Sequence, residues 1–191
     1  MKANPSLLNN DIRAQEMARI VEAAKHEDDD ALAKLCKYVY GKLFGYIYYR
    51  VRQREDAEDL TSEVVLKMVK SLNTQKGNFL GWIYRIARNQ IIDFYRQRAR
   101  KQEISLESLK KDIPSPEEPR DYLTENRMKE ALAYLTQDQS DVITLKFFQE
   151  YNNEEIAKIM GKTVGAIKVL QFRALKALRE YFRKERYETR H

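Results

Sequence analysis

The sequence predicts an all-α protein built from two small helical domains joined by a flexible linker. Only 6 of the 191 residues are glycine and 4 are proline, and apolar side chains recur at helical spacing through most of the chain. Three of the four prolines fall between residues 114 and 119, beside several serines, which is a composition typical of linkers. We therefore expect an N-terminal domain at residues 1–100, a linker at 101–121 and a C-terminal domain at 122–191.

The N-terminal domain is predicted to contain four helices, at residues 11–25, 31–53, 55–72 and 78–100. Three aspartates, Asp28 to Asp30, precede the second helix, where side-chain acceptors and negative charge favour a helix start. That second helix is rich in Leu, Tyr and Phe. The C-terminal domain is predicted to contain four more helices, at residues 122–135, 137–149, 153–160 and 164–186.

The charge of the chain favours a polyanionic partner. The formal net charge is +6 and the sequence pI is about 9.2. Residues 76–101 carry seven basic side chains against the single acid Asp93, and residues 163–191 carry eight against three acids. Residues 103–125 are acidic on balance. Two separate DNA-contacting surfaces are the simplest physical reason for two basic blocks around an acidic middle.

Composition argues against several other classes of function. The longest apolar runs are a few residues, whereas a membrane-spanning helix needs roughly 20, and residues 1–11 lack the apolar stretch of a secretory signal. Cys36 is the single cysteine, so there is no intrachain disulfide and no thiolate metal cage. His26 and His191 give little support for nucleophilic catalysis, and no glycine-rich phosphate loop is present. We expect a cytoplasmic protein without membrane insertion, catalysis, metal or cofactor.

Residues 153–179 have the pattern of a helix-turn-helix. A short helical segment from Asn153 to Met160 is followed by Gly161 and then by a longer basic segment that starts near Thr163. In this motif one helix enters the major groove of DNA. The pattern therefore predicts double-stranded DNA as a partner.

At about 100° per residue, the second helix of this motif has an apolar face and a basic face. The apolar face, expected to pack on the preceding helices, consists of Ile167, Leu170, Ala174, Leu178 and Tyr181. Lys and Arg suit phosphates and guanine edges, and Val169 and Phe172 could contact thymine methyl groups. Alternatively, Phe172 covers a neighbouring helix or the linker. The candidate DNA-reading residues are Thr163, Gly165, Lys168, Val169, Phe172, Arg173 and Lys176.

The basic block at residues 76–101 contains a second polar stripe. Its members recur at spacings of four, four, three and four, with Trp82 at the head of the stripe: Arg85, Asn89, Asp93, Arg96 and Arg100. The arginines could hold phosphates while the Asn and Asp hold a base edge, and Trp82 or Phe79 could stack on an unpaired base. The alternative is a solvated amphipathic helix with Trp82 in the core.

An acidic stripe precedes this block. Asp56, Asp59 and Glu63 share one helical face beside Leu60. Because an acidic stripe on a basic protein should not face DNA, it could bind a basic protein surface, or Mg²⁺ for phosphoryl chemistry. A solvated helix surface is the third alternative. No further carboxylates or histidines are spaced to complete a metal site, which leaves Mg²⁺ the weakest of the three.

Together these segments resemble the extracytoplasmic-function (ECF) group of bacterial RNA polymerase sigma factors. Asp56-Ala57-Glu58-Asp59-Leu60 with Glu63-Val64 is similar to the core-polymerase-binding helix of that family. Residues 79–89, Phe-Leu-Gly-Trp-Ile-Tyr-Arg-Ile-Ala-Arg-Asn, followed by Ile92-Asp93 and the arginines, are similar to its promoter-melting segment. Residues 155–173 are similar to its C-terminal helix-turn-helix. The likeness covers nearly the whole chain in the same order.

The resemblance implies a protein that binds core RNA polymerase and directs it to promoters. The first domain would bind the polymerase clamp helices through Asp56, Asp59, Leu60 and Glu63. It would also open the minus-ten element and contact the melted non-template strand through Phe79, Trp82, Arg85, Asn89, Asp93, Arg96 and Arg100. The second domain would read the minus-thirty-five element, and the linker would lie in the nucleic-acid channel of the polymerase. An anti-sigma factor is a further class of partner for such a protein.

The chain departs from the family at two positions of the helix-turn-helix. Many members have Arg where this chain has Leu170, and Ser or Thr where it has Val169, so we expect its specificity to differ there. Two other functions stay open. A stand-alone helix-turn-helix regulator would leave residues 79–100 unexplained and would usually dimerise on DNA. An enzyme acting on nucleic acid rests only on the stripe at Asp56 and would depend on a metal.

Overall fold

The computed structural model describes the backbone of residues 5–51, 53–105 and 120–188, and side chains at 15–51, 53–100 and 127–184. These residues form eight α-helices and, within the described ranges, no strand. The helices are α1 (Pro5–Lys25), α2 (Asp29–Val51), α3 (Arg54–Ser71), α4 (Phe79–Ser105), α5 (Arg120–Tyr134), α6 (Gln137–Ile143), α7 (Asn153–Met160) and α8 (Val164–Glu188). None of the helices searched within the described residues combines the length and apolar content needed to cross a bilayer.

Helix α2 is the central element of the N-terminal domain. Its start is fixed by Asp28, whose carboxylate oxygen Oδ1 accepts a hydrogen bond of 2.9 Å from the backbone N–H of Ala31. An apolar stripe at four-residue spacing is fully buried along this helix: Leu35, Val39, Leu43 and Ile47. Burial of each such side chain stabilises the fold by about 1.5–3 kcal/mol. The stripe packs α2 against α1, α3 and α4, which together make the N-terminal domain.

The predicted helix-turn-helix is confirmed as α7 and α8. Asn152 caps α7, accepting a 2.9 Å hydrogen bond from the N–H of Glu155, whose side chain in turn accepts from the N–H of Asn152 at 2.8 Å. Gly161 ends α7 with φ of 63°, a left-handed conformation that a residue with a Cβ rarely adopts. Thr163 then accepts a 3.2 Å hydrogen bond from the N–H of Ala166 at the start of α8.

Three helix boundaries differ from those predicted by more than two residues. Helix α1 begins at Pro5, ahead of the expected residue 11, and α4 continues to Ser105, into the expected linker. The single helix expected at 137–149 is α6 followed by a π-turn from Thr144 to Phe148. In that turn the N–H of Gln149 donates to the carbonyl of Thr144 at 3.1 Å, and the wider turn brings the ring of Phe148 within 4.0 Å of the Tyr49 ring. Residues 106–119, where the linker was predicted, lie outside the described residues.

The two helical domains pack against each other. Residues of the C-terminal domain belong to the same apolar cluster as the stripe of α2, among them Leu145, Tyr151, Ile156 and Ile159. The Tyr151 ring lies edge-on to the Tyr84 ring of α4, with centroids 6.2 Å apart. The sequence predicted two domains joined by a flexible linker, and it did not predict the interface that the two domains form.

Candidate nucleic-acid interface

The outward face of α8 is the clearest candidate for contact with DNA. Ile167 and Ala174 are fully buried, and Leu170, Leu178 and Tyr181 are partly buried, so the apolar face is the predicted one. The opposite face is exposed along its length, at Thr163, Gly165, Lys168, Val169, Phe172, Arg173 and Lys176. The sequence therefore assigned each side of this helix correctly.

Two apolar side chains stand in the exposed face of α8. Phe172 is 70% exposed and Val169 is 48% exposed. Isolated exposed apolar residues are common on protein surfaces, but these two lie one turn apart between basic side chains. The alternative in which Phe172 covers a neighbouring helix does not hold within the described residues, because most of its ring faces solvent.

The polar side chains of the α4 stripe are exposed, whereas the aromatic residues at its N-terminal end, Phe79 and Trp82, are buried and half-buried. Arg85, Asn89, Asp93, Arg96 and Arg100 all face solvent. Phe79 is only 9% exposed, and Trp82 is half-buried with its ring centroid 5.9 Å from that of Phe79. In this arrangement Phe79 is inaccessible to a base and supports Trp82 from below. Part of the Trp82 side chain is exposed. Each of the two alternatives, a Trp82 in the core and a Trp82 on the surface, is therefore partly correct.

The acidic stripe of α3 and the C-terminal part of the polar stripe of α4, from Asp93 to Arg100, line one groove. A cavity of about 450 Å³ lies between the two helices and is bordered by acids of the first and arginines of the second. Asp59 and Glu63 are exposed, whereas Leu60 is 7% exposed and seats the helix on the core. Glu63 accepts a hydrogen bond from Gln90 of α4. The two sets of residues predicted separately are therefore neighbours.

Asp56 connects α3 to α4 directly, through an arginine beside the polar stripe. Its Oδ2 lies 3.6 Å from Nη1 of Arg98, and the two side chains are 29% and 49% exposed. A partly exposed pair at this distance is weak, contributing on the order of 0–1 kcal/mol. A partner with its own positive charges could therefore displace Arg98 from Asp56 at little cost.

A buried ionic cluster between the domains was missed by sequence reasoning. Asp141 of α6 is 3% exposed, and its Oδ1 accepts hydrogen bonds from Oη of Tyr46 at 2.6 Å and Nη1 of Arg50 at 2.5 Å. Burial raises the pKa of the Asp141 carboxyl, against the opposing effect of Arg50 and Arg88. The only local signal was that Asp141 directly precedes the mostly apolar run Val142-Ile143-Thr144-Leu145, a position where a charge needs a buried partner.

Arg88 of α4 forms the outer part of this cluster. Its Nη2 donates to Oδ1 of Asp138 at 2.6 Å, and its Nε lies 3.6 Å from Oδ2 of Asp141. Lys162 also approaches Asp138, at 3.1 Å. Burial acts to raise the pKa of Asp138, but hydrogen bonds from Lys162 and Arg88 outweigh it and lower that pKa.

Comparison with protein families identifies both halves of the chain. The family model for sigma-70 region 2 matches residues 35–101, and that for sigma-70 region 4 matches residues 131–180. The first match contains the acidic stripe and the stripe of α4. The second contains the exposed face of α8.

Curated relatives match across both regions. The ECF RNA polymerase sigma factor BldN of Streptomyces coelicolor is 32% identical over 175 residues, which are 88% of this chain and 66% of BldN. The RNA polymerase sigma factor YlaC of Bacillus subtilis is 30% identical over 174 residues, which are 87% of this chain and 99% of YlaC. The chain thus spans about two thirds of BldN and nearly all of YlaC.

Solved structures share the fold. CnrH in complex with the cytosolic domain of CnrY matches with a TM-score of 0.67 at 18% identity, covering 86% of this chain and 96% of that chain. The sigma factor RpoE of Bartonella quintana, in complex with the anti-sigma factor NepR, matches with a TM-score of 0.60 at 24% identity, covering 79% and 96%. The sequence matches, together with this fold, place the chain in the ECF group of RNA polymerase sigma factors.

Proposed function

We propose that this protein is an alternative sigma factor that binds core RNA polymerase, directs it to specific promoters and helps to open the minus-ten region. The observation that carries the proposal is the order of its surfaces along one chain. An acidic helix face comes first, a basic stripe with a half-exposed Trp82 comes second, and the exposed basic face of α8 comes third. All three lie within regions that match the sigma-70 models.

The acidic face of α3 is the proposed contact with core polymerase. Asp59 and Glu63 project into solvent, and Asp56 is held only by the weak pair with Arg98. These acids fit a basic protein surface and repel nucleic acid. Leu60 does not contact the polymerase directly in this proposal. Its buried side chain packs α3 on the core and so positions the acids.

The stripe of α4 is the proposed minus-ten surface. Arg85, Arg96 and Arg100 would hold phosphates, and Asn89 could hydrogen-bond a base edge. Asp93 lies 3.6 Å from Nη1 of Arg96, so it orients that arginine as well as offering acceptors of its own. Trp82 would stack on a base of the melted non-template strand, with Phe79 as its support.

The outward face of α8 is the proposed reader of the minus-thirty-five element in duplex DNA. Lys168, Arg173 and Lys176 suit phosphates and guanine edges, whereas Val169 and Phe172 suit thymine methyl groups. Thr163 and Gly165, at the start of α8, allow the backbone to approach the DNA closely. A thymine within the minus-thirty-five site is therefore expected.

The remaining roles follow from that of a transcription initiation factor. We infer that the protein has no catalytic activity of its own, needs no cofactor or metal, and works where the bacterial polymerase works, in the cytoplasm. CnrH and RpoE of Bartonella quintana are each bound by another protein in their structures, NepR being an anti-sigma factor. An anti-sigma factor is accordingly a proposed partner here.

Stoichiometry on polymerase separates this function from that of a stand-alone DNA-binding regulator. Purified protein is mixed with core polymerase and the mass of the complex is measured by light scattering after gel filtration. A sigma factor forms a complex with one copy per core enzyme. A simple operator-binding protein does not bind the core enzyme and binds DNA as a dimer. Addition of a metal chelator should leave the complex unchanged, and its loss would favour the metal-dependent alternative.

A further inference from the structure

A small cavity with a basic rim lies between α4 and α7. Its volume is about 350 Å³, which is in the range of pockets that hold small molecules. Buried side chains form its inner wall, among them Tyr46, Tyr84 and Leu145. Trp82 also borders the cavity and is only half-buried, so part of this side chain is accessible from outside. The cavity therefore combines a largely apolar interior with an accessible aromatic surface.

The rim carries three basic side chains that have no acidic partner. Lys76, Arg85 and Lys158 border the cavity and are exposed. Within the described part of the chain, their side chains make no ion pair and no hydrogen bond. The other two charged residues of the wall, Arg88 and Asp141, lie 3.6 Å apart and offset each other. The positive charge of the rim is therefore free to attract an anion.

The two helix ends at this cavity contribute little to its charge. Helix α4 begins at Phe79 and brings a positive N-terminal end, whereas α7 ends at Met160 and brings a negative C-terminal end. These partial charges oppose each other. The backbone carbonyl of Lys158 is in addition occupied by a 2.9 Å hydrogen bond from Nδ2 of Asn78. The basic side chains therefore determine which charge the cavity attracts.

The chemistry of the rim favours a ligand with several linked phosphates. Lysine binds phosphate as a point charge, and arginine binds it with two parallel hydrogen bonds. One phosphate monoester carries about −1.5 to −2 charge at neutral pH, so two or more phosphates are needed to balance three cations. An aromatic side chain beside the cations favours a planar ring, because bases stack on aromatic surfaces. A nucleoside with a phosphate chain provides both parts.

We propose that this cavity binds a nucleoside polyphosphate, with its base against Trp82 and its phosphate chain among Lys76, Arg85 and Lys158. The ligand is a free nucleotide, because the cavity has the volume of a small-molecule site and because Lys158, in α7, lies outside both proposed DNA surfaces. A nucleotide bound here would share Trp82 and Arg85 with the minus-ten strand. That consequence rests on the proposed function, whereas nucleotide binding itself does not.

The fluorescence of Trp82 reports on the proposed site directly, because it is the single tryptophan of the chain. The free protein is titrated with ATP and with GTP at one fixed salt concentration and in the presence of a metal chelator. A tryptophan amide solution is titrated in parallel to correct for light absorbed by the bases. We expect saturable quenching, and calorimetric titration should give the same affinity.

Fragments of the nucleotide separate the two halves of the site. Tripolyphosphate has the charges without the base, and adenosine has the base without the charges. Adenosine should bind far more weakly than ATP, because the rim then has no anion to bind. Trp82→Ala, measured by calorimetry, should weaken ATP binding by about fivefold or more, because stacking of the base is lost. The same variant should bind tripolyphosphate as the parent does.

Two lysines outside the proposed DNA surfaces provide matched variants. Lys76→Ala and Lys158→Ala should each weaken ATP binding by about threefold to tenfold, because each removes a charged contact with phosphate at an exposed rim. Lys34→Ala is the control, since Lys34 is an exposed lysine of α2 that does not border the cavity. All three variants should unfold at the same denaturant concentration as the parent, and the control should bind ATP normally.

Three results would overturn the proposal. Without saturable binding of ATP or GTP at millimolar concentration, the cavity takes no nucleotide. Equal ATP affinity of the parent and Trp82→Ala would leave an adventitious anion site only. Equal ATP affinity of the parent and Lys158→Ala would place the nucleotide on α4 alone, as a substitute for single-stranded DNA. Because no polymerase or promoter enters these measurements, their failure leaves the proposed function intact, and failure of transcription leaves nucleotide binding intact.

Discussion

Replacement of Phe172 tests the proposed reading surface at its most unusual residue. The ring is 70% exposed in the free protein. Complete burial of a Phe side chain is worth about 1.5–3 kcal/mol, so covering the exposed part in the major groove would contribute about 1–2 kcal/mol. Phe172→Ala should therefore weaken binding by about 5–30-fold. The fold should be unaffected, because the ring makes little contact with the protein.

The assay uses a duplex selected from a promoter library and measures binding by fluorescence anisotropy at one fixed salt concentration. Phe147→Ala is the control, because Phe147 lies in the same domain, is 54% exposed and is not part of α8. Both variants should unfold at the same denaturant concentration as the parent. The control should bind DNA normally.

Uracil in place of thymine sharpens the test, because uracil lacks only the methyl group. If Phe172 contacts a thymine methyl, replacing that one thymine by uracil should weaken DNA binding by the parent protein. The same replacement should leave DNA binding by Phe172→Ala unchanged. Additive losses from the two changes would refute the contact. An unchanged affinity of Phe172→Ala for the selected duplex would remove Phe172 from the reading surface altogether.

Other surfaces give predictions of the same kind. The double replacement Asp59→Lys and Glu63→Lys should weaken binding to core polymerase and leave binding to duplex DNA intact, both measured by titration. The control Glu58→Lys, on the other side of α3, should change binding to core polymerase far less. Trp82→Ala should impair strand opening, followed by permanganate reactivity of unpaired thymines, more than duplex binding; equal losses would count against a melting role. Burial raises the pKa of Tyr151 to about 12, so its contribution to stability is present below its ordinary pKa near 10 and is lost as pH rises through about 12. Between pH 10 and 12 the free energy of unfolding of the parent, measured by denaturant titration, should fall by up to about 3 kcal/mol more than that of Tyr151→Phe. If the two free energies fall in parallel with pH, the hydroxyl is not buried.

The helices and the faces of α8 could be predicted because their signals are local. Ile167, Leu170 and Ala174 recur at helical spacing, and the same periodicity placed Lys168 and Phe172 on the outside. The capping residues and Gly161 mark helix ends by their own chemistry. Patterns of this kind need no knowledge of the rest of the chain.

The interface between the domains could not be predicted in the same way. Arg50 and Asp141 are 91 residues apart in sequence, and no periodicity relates them. The close approach of α7 to Gly81 of α4, where an added Cβ would lie 3.1 Å from the carbonyl oxygen of Ile159, is likewise a property of two elements brought together. The sequence shows only a glycine near a helix start. The π-turn that ends at Phe148 occurs where that ring packs against Tyr49 of the other domain. Local propensity carries no information on this contact and indicated a single helix instead.

The residues proposed for promoter contact remain predictions at the level of individual side chains. Their exposure supports Arg85, Asn89 and Arg173 as available to nucleic acid, whereas Phe79 is available only as a support for Trp82. Arg173→Ala should cost about 1–3 kcal/mol at one promoter position if it contacts a base. A uniform loss across sequences would identify it as a phosphate contact.

The central claim is tested most directly by transcription in vitro from purified parts. Core polymerase is supplied with this protein and a library of promoter sequences, and the 5′ ends of the transcripts are sequenced. We predict initiation from a defined set of promoters that share a minus-thirty-five and a minus-ten element, with none of these starts when the protein is omitted. Failure of the folded protein to direct initiation from any sequence would contradict it.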